Sequence, residues 1–154
     1  MRKIVFAVLA IVATMSCANA GNRSGSADQK KSEDNKANVV VLSESEYKSK
    51  VEDFSTEEWK FIGKKPVVVD FYADWCPPCR KLAPVMEEVA AEFKGKVEFY
   101  KINVDNAKAV AAAYGISSIP TVLFIPVDGE PVRTLGFMSK EDFAAKVKEN
   151  CLKK

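Results

Sequence analysis

The run Val67-Val68-Val69-Asp70-Phe71-Tyr72-Ala73 constrains this chain most. It is nearly continuous in β-branched and aromatic residues and does not alternate with polar ones. Such a run reads as a central strand buried on both faces. A strand of that kind needs a layer above it and a layer below, which makes the fold α/β. Asp70 is the anomaly within it, because an ionisable side chain in a buried strand is costly unless it is neutral or paired. Directly after the run, Trp75-Cys76-Pro77-Pro78-Cys79 places two cysteines where the strand ends and a helix begins.

That helix is expected from Pro77 to about Phe93, with Leu82, Val85, Met86, Val89, Ala90 and Phe93 as its apolar stripe. Pro84 cannot donate to the Arg80 carbonyl, which predicts a kink. Upstream, Val39 to Leu42 is a strand candidate, and Ser43 with Glu46 forms a capping-box pattern that opens a helix. Ser55 with Glu58 repeats the pattern and predicts a second, extra short N-terminal helix, ended by Gly63 and Pro66. Downstream, Val97 to Val104 is a second central strand, and Ala107 to Tyr114 a short helix stopped by Gly115. Thr121 to Ile125 and Val132 to Leu135 flank a turn-rich connection, which predicts a hairpin. Ser139 with Asp142 opens a last helix carrying Phe143, Val147 and Cys151. The order predicts a central mixed β-sheet flanked by helices on both faces, with an antiparallel edge.

Residues 1–20 read as an export signal: Arg2 and Lys3, then an apolar run from Ile4 to Ala13, then Ala18-Asn19-Ala20 as a cleavage site. The run is too short for a permanent membrane span. Thr14-Met15-Ser16-Cys17 also resembles a lipoprotein signal ending before Cys17, so processing after Ala20 and lipidation of Cys17 both stand open. Residues 21–38 are rich in Ser, Gly, Asn, Lys and Asp and read as a disordered tether with a reach of roughly 25 Å. The folded domain is expected over 39–154. Export predicts a compartment in which disulfides persist, a bacterial periplasm being the expected one. Contact with the membrane is expected only if Cys17 is lipidated.

The chain of 154 residues has a formal net charge of +2 and no histidine. No basic stripe with interleaved aromatics marks a nucleic-acid surface. Without histidine or a second Cys-x-x-Cys, a closed zinc site is improbable, and no metal or other cofactor is expected. A structural bridge between Cys76 and Cys79 would close a tiny loop and constrain the unfolded chain little. The strand-to-helix setting therefore favours a redox pair. Cys76 falls at the helix N-terminus, whose partial positive charge favours a thiolate. Cys79, one turn later, is expected to lie deeper and resolve the mixed disulfide. Pro77 and Pro78 have no amide proton, so the nearest backbone donors to Cys76 are Cys79 and Arg80. Asp70 is the candidate acceptor for the Cys79 proton, the other reading being a carboxylate that reaches solvent near the strand end. Lys101 reads either as its charge partner or as a solvated strand lysine. The Ile119-Pro120 bond reads either as cis or as an ordinary strand-start proline. Cys151 reads as a small apolar residue of the last helix, or else as a regulatory thiol.

With these residues in view, the chain from about Val67 onward resembles the thioredoxin family. Asp70 to Cys79 is similar to that family's active-site segment, and Lys101-Ile102-Asn103-Val104-Asp105 to its next strand. Tyr114-Gly115-Ile116 with Ser118-Ile119-Pro120-Thr121 resembles its cis-proline loop, and Gly136 a glycine of its substrate groove. The resemblance implies a thioredoxin fold and a thiol–disulfide oxidoreductase without a cofactor. It makes Cys76 the nucleophile, Cys79 the resolving thiol, Asp70 the proton acceptor and Lys101 its partner. Trp75, Pro77, Ile119, Pro120 and Gly136 would form the substrate surface. The implied partners are disulfide-containing exported proteins and an electron donor, either a membrane thiol reductant or a thioredoxin reductase system. Departures from the family are the leader, a longer segment from Tyr47 to Pro66, and Pro77 in place of the usual glycine. Alternatives are a dedicated reductase of cytochrome c maturation, a disulfide oxidase or isomerase, and a non-catalytic partner-binding module.

Overall fold

The computed structural model describes residues 38–153, Glu57 excepted; the expected signal, tether and Cys17 lie outside the described residues. Nine elements follow in chain order: β1 (Val39–Val41), α1 (Glu44–Lys50), β2 (Val67–Tyr72), α2 (Pro77–Glu92), β3 (Glu98–Asn103), α3 (Lys108–Ala113), β4 (Thr121–Ile125), β5 (Val132–Leu135) and α4 (Lys140–Val147). A π-helical turn, Lys148–Leu152, continues α4.

The strands form one five-stranded sheet in the order β1-β3-β2-β4-β5. β1 and β2 both run parallel to β3, whereas β4 is antiparallel to β2 and β5 to β4. β2 therefore lies at the centre of the sheet, as its unbroken apolar run requires. Its side chains alternate between two cores. Val67, Val69 and Phe71 join Tyr47 and Val51 from the α1 side and Val110 of α3. Val68 joins Leu82, Met86, Val89 and Ala90 of α2 with Phe143, Ala144 and Val147 of α4. Each fully buried side chain of this size contributes on the order of 2 kcal/mol of apolar transfer.

Local signals hold where they rest on neighbours in sequence. Ser43 caps α1, its Oγ accepting from Glu46 N at 3.3 Å while Ser43 N donates to Glu46 Oε2 at 2.9 Å. Pro84 lies inside α2 without ending it. The expected stripe of α2 is the buried one, Val85 being only partly covered.

Among the described residues, the extra helix expected at Ser55 does not form. Asp53 captures the capping residue: its Oδ1 accepts from both Ser55 N (3.1 Å) and Ser55 Oγ (2.6 Å), and Thr56 Oγ1 donates back to Asp53 O. The segment is instead an irregular strap that closes on the α1–α3 face. Ile62 N donates to Val51 O, Trp59 Nε1 donates to Gly129 O at 3.1 Å, and the Tyr114 hydroxyl donates to the buried Glu52 carboxyl.

Candidate active site

β2 delivers its C-terminal end directly to α2, and the site is built at that junction. Cys76 is the N-cap of α2, with φ −86° and ψ 108°, and Pro77 and Pro78 open the first turn. Proline is tolerated there because first-turn amides lack intrahelical partners. The first available amide, Cys79 N, donates to Cys76 Sγ at 3.3 Å, while Arg80 N is taken by the Cys76 carbonyl. Cys76 and Cys79 are joined as a disulfide with Cα atoms 5.3 Å apart. Their residue exposures, 2% and 1%, do not distinguish a shallow from a deep sulfur in this oxidised form. What separates them is position: Cys76 Sγ alone receives the helix-end amide and lies 3.7 Å from the Ile119 carbonyl oxygen.

Around the disulfide pack Ala73, Tyr72, Val104 and Ile119. The Ile119-Pro120 bond is cis. The Pro120 carbonyl accepts from Gly136 N at 2.8 Å, which ties the end of β5 to this loop. Gly136 holds φ at +83°, a backbone conformation that a side chain at this position would strain. Pro77 is exposed beside the pair. Trp75 is 65% exposed, yet its indole is fixed by donation from Nε1 to Asp105 Oδ2 at 2.9 Å. The structure thus gathers Trp75, Pro77, Ile119, Pro120 and Gly136 at one end of the sheet.

Asp70, on the strand that leads into the site, is fully buried, with Lys101 opposite it in the parallel β2–β3 register. Lys101 Nζ stands 3.7 Å from Asp70 Oδ2, a Coulombic contact rather than a hydrogen bond. Both Asp70 oxygens lack a hydrogen-bond partner among the described residues. Burial pushes the Asp70 carboxyl up to about 6, and the nearby ammonium opposes that rise.

Sequence reading named Lys101 and Gly136 across elements but missed the contacts among Asp74, Asn103 and Asp105. Asn103 Nδ2 donates to Asp74 Oδ2 at 3.1 Å, Asn103 Oδ1 accepts from Asp105 N at 2.9 Å, and Arg80 donates to the Asp74 carbonyl. These contacts link the loops after β2 and β3 and hold Trp75's partner in place. Only the register that pairs Tyr72 with Asn103 brings them together, and no spacing in the chain announces it.

Comparison with known proteins agrees with this geometry. The thioredoxin family model matches residues 38–149. Thioredoxin of Borreliella burgdorferi is 38% identical over 112 residues, covering 72% of this chain and 96% of that protein. Thioredoxin of Staphylococcus epidermidis is 40% identical over 107 residues, covering 69% and 91%. A crystal structure of chloroplastic thioredoxin z aligns with a TM-score of 0.58 and 30% identity, covering 72% of this chain and 92% of that one. A cysteine pair at the N-terminus of a helix that follows a central strand, on a fold that matches over this length, places the chain in the thioredoxin family as a thiol–disulfide oxidoreductase.

Proposed function

We propose that this chain is an exported reductase of protein disulfides, with Cys76 as nucleophile and Cys79 as resolving thiol. The observation that carries the reading is the fully buried Asp70 carboxyl, without a hydrogen-bond partner among the described residues, on the strand that leads into a cysteine pair at a helix N-terminus. In the reduced protein the Cys76 thiolate attacks one sulfur of a substrate disulfide. A mixed disulfide forms and one substrate thiolate leaves. Cys79 then gives its proton to Asp70 and attacks Cys76 Sγ. The second substrate thiolate leaves, and the Cys76–Cys79 disulfide is the oxidised product. A carboxyl poised near 6 is mostly ionised at pH 7 yet basic enough to receive that proton. Two electrons from a dithiol donor, a membrane thiol reductant or a thioredoxin reductase system, return the pair to the reduced form.

The substrate surface is the exposed Trp75 and Pro77 together with Ile119, Pro120 and Gly136. Export rests on the apolar leader and the Ala18-Asn19-Ala20 site, with a periplasm as the destination and a lipid anchor if Cys17 is processed. A dedicated cytochrome partner would need a recognition insert, for which the strap near residues 53–62 is the candidate among the described residues. Its Trp59 is bound to Gly129, in the turn at the end of β4 remote from Thr121 and Pro120. That placement favours general substrates over a specialised recognition insert.

The test combines trapping with equilibrium. Cys79→Ser should accumulate mixed disulfides through Cys76 in the native compartment, and the wild type should reduce insulin with a dithiol donor. The Cys76–Cys79 potential should be more reducing than about −220 mV. A value near about −120 mV would overturn the reductase reading in favour of an oxidase. Mass spectrometry of the mature N-terminus decides between cleavage after Ala20 and lipidated Cys17.

A further inference from the structure

Asp70 and Tyr72 alternate on β2 and so share a face, and Lys101 stands opposite Asp70 on β3. The Lys101 ammonium is therefore shared between two neighbours. It lies 3.7 Å from Asp70 Oδ2 and 4.1 Å from the centroid of the Tyr72 ring. Neither Asp70 oxygen hydrogen-bonds to it. What holds the cation in place is Coulombic attraction on one side and the negative ring face on the other. A ring contact of this kind strengthens as the cation is taken out of water. The lysine side chain keeps 14% exposure, so its flexible stem has a route to solvent if either neighbour is lost.

We propose that Tyr72 is a positioning residue of the redox site: its ring holds the Lys101 ammonium beside the buried Asp70 carboxyl. The other surroundings of Asp70 leave this role to Lys101. Val122 of β4 lies opposite and is apolar. The buried side chains of α2 are Cys79, Leu82, Met86, Val89 and Ala90, of which only Cys79 is titratable, and only when reduced. Lys101 is the cation in contact with Asp70, and both Asp74 and Asp70 act on the Tyr72 hydroxyl. The arrangement bears on turnover through Asp70 and so rests on that residue being the proton acceptor.

The experiment reads the Asp70 carboxyl directly, by carbon NMR titration of the oxidised protein. Tyr72→Leu should move its midpoint upward by about one pH unit, because the freed ammonium turns to solvent. Tyr72→Met serves the same purpose if the leucine variant does not fold. Tyr72→Phe, which keeps the ring face, should leave the midpoint in place. In a Lys101→Met background Tyr72→Leu should add nothing further. A midpoint unmoved in Tyr72→Leu overturns the proposal, as does an equal move in Tyr72→Phe or a move that persists without Lys101. The rate of mixed-disulfide resolution separates the two readings. If Asp70 is the acceptor, Tyr72→Leu slows resolution about twofold at pH 7 and close to tenfold below pH 6. A midpoint that moves while the rate profile does not keeps Tyr72 in its positioning role and removes Asp70 from the proton step.

Discussion

At the scale of single residues, Asp70 trades stability for chemistry. Its carboxyl titrates near 6 in the folded protein, against a reference of 3.8. The folded state thus disfavours the charged form. The protonated carboxyl's advantage is complete below about pH 4 and is lost as pH rises through 6. Asp70→Asn removes this titration. The variant should be more stable than wild type above pH 6 by up to about 3 kcal/mol, the difference shrinking toward zero near pH 4. Urea denaturation across that range checks the sign, and a variant less stable than wild type at pH 8 would contradict it. The same variant should resolve mixed disulfides more slowly while Cys76 attacks at an undiminished rate.

At the scale of elements, two serines with the same downstream pattern meet different fates. Ser43 caps α1 through its hydroxyl and receives Glu46 in return. Ser55 is bound by Asp53 and by Lys48 Nζ, and no described residue between it and β2 is helical. Ser43→Ala should therefore cost about 1 kcal/mol. Ser55→Ala should cost no more than about 0.5 kcal/mol and leave the far-ultraviolet helical signal unchanged. Equal losses in equilibrium unfolding would mean that the strap is as cooperative as α1. The prolines opening α2 act at this same scale. They restrict the amides near Cys76 to Cys79 N and Arg80 N, and Arg80 N is already taken by a backbone carbonyl. The cysteine at the helix end is left with one backbone donor to its sulfur.

At the scale of the molecule, placement separates the thiols: Cys76 sits at a helix N-terminus whose amide reaches its sulfur, and Cys151 inside an apolar core. Cys151 lies in the core between the sheet and the α2–α4 layer, and burial pushes its thiol up to about 12. It should be alkylated only when the domain opens. In native buffer at pH 8, after reduction of the pair, mass spectrometry should show Cys76 labelled first and Cys151 at least about a thousandfold more slowly. Modification of Cys151 at the rate of Cys76 would show a local opening of the C-terminal turn. This placement favours the packing reading of Cys151 over a regulatory one.

Most of the fold was legible in the chain because its signals are local. The unbroken apolar run of β2, the capping pattern at Ser43, the stripe of α2 and the bounds of β4 and β5 rest on residues close in sequence, where backbone geometry relates side chains directly. The paired cysteines at a strand end were equally legible, since strand, turn and helix follow one another along the chain. Ser55 shows the limit: the same local pattern lost to a neighbouring carboxylate and to long-range anchors at Val51 and Gly129. The rest of the site was decided only by tertiary structure. The order β1-β3-β2-β4-β5 and the register between strands set Lys101 against Asp70 and its ammonium over Tyr72, and brought Asp105 to Trp75 and Gly136 to Pro120. Sequence alone could name the two thiols, the buried acid and Lys101 as one candidate for its charge partner, but not choose between that reading and a solvated lysine. That Lys101 meets both the acid and the Tyr72 ring depends on sheet pairing across tens of residues, and no local preference along the backbone encodes that pairing.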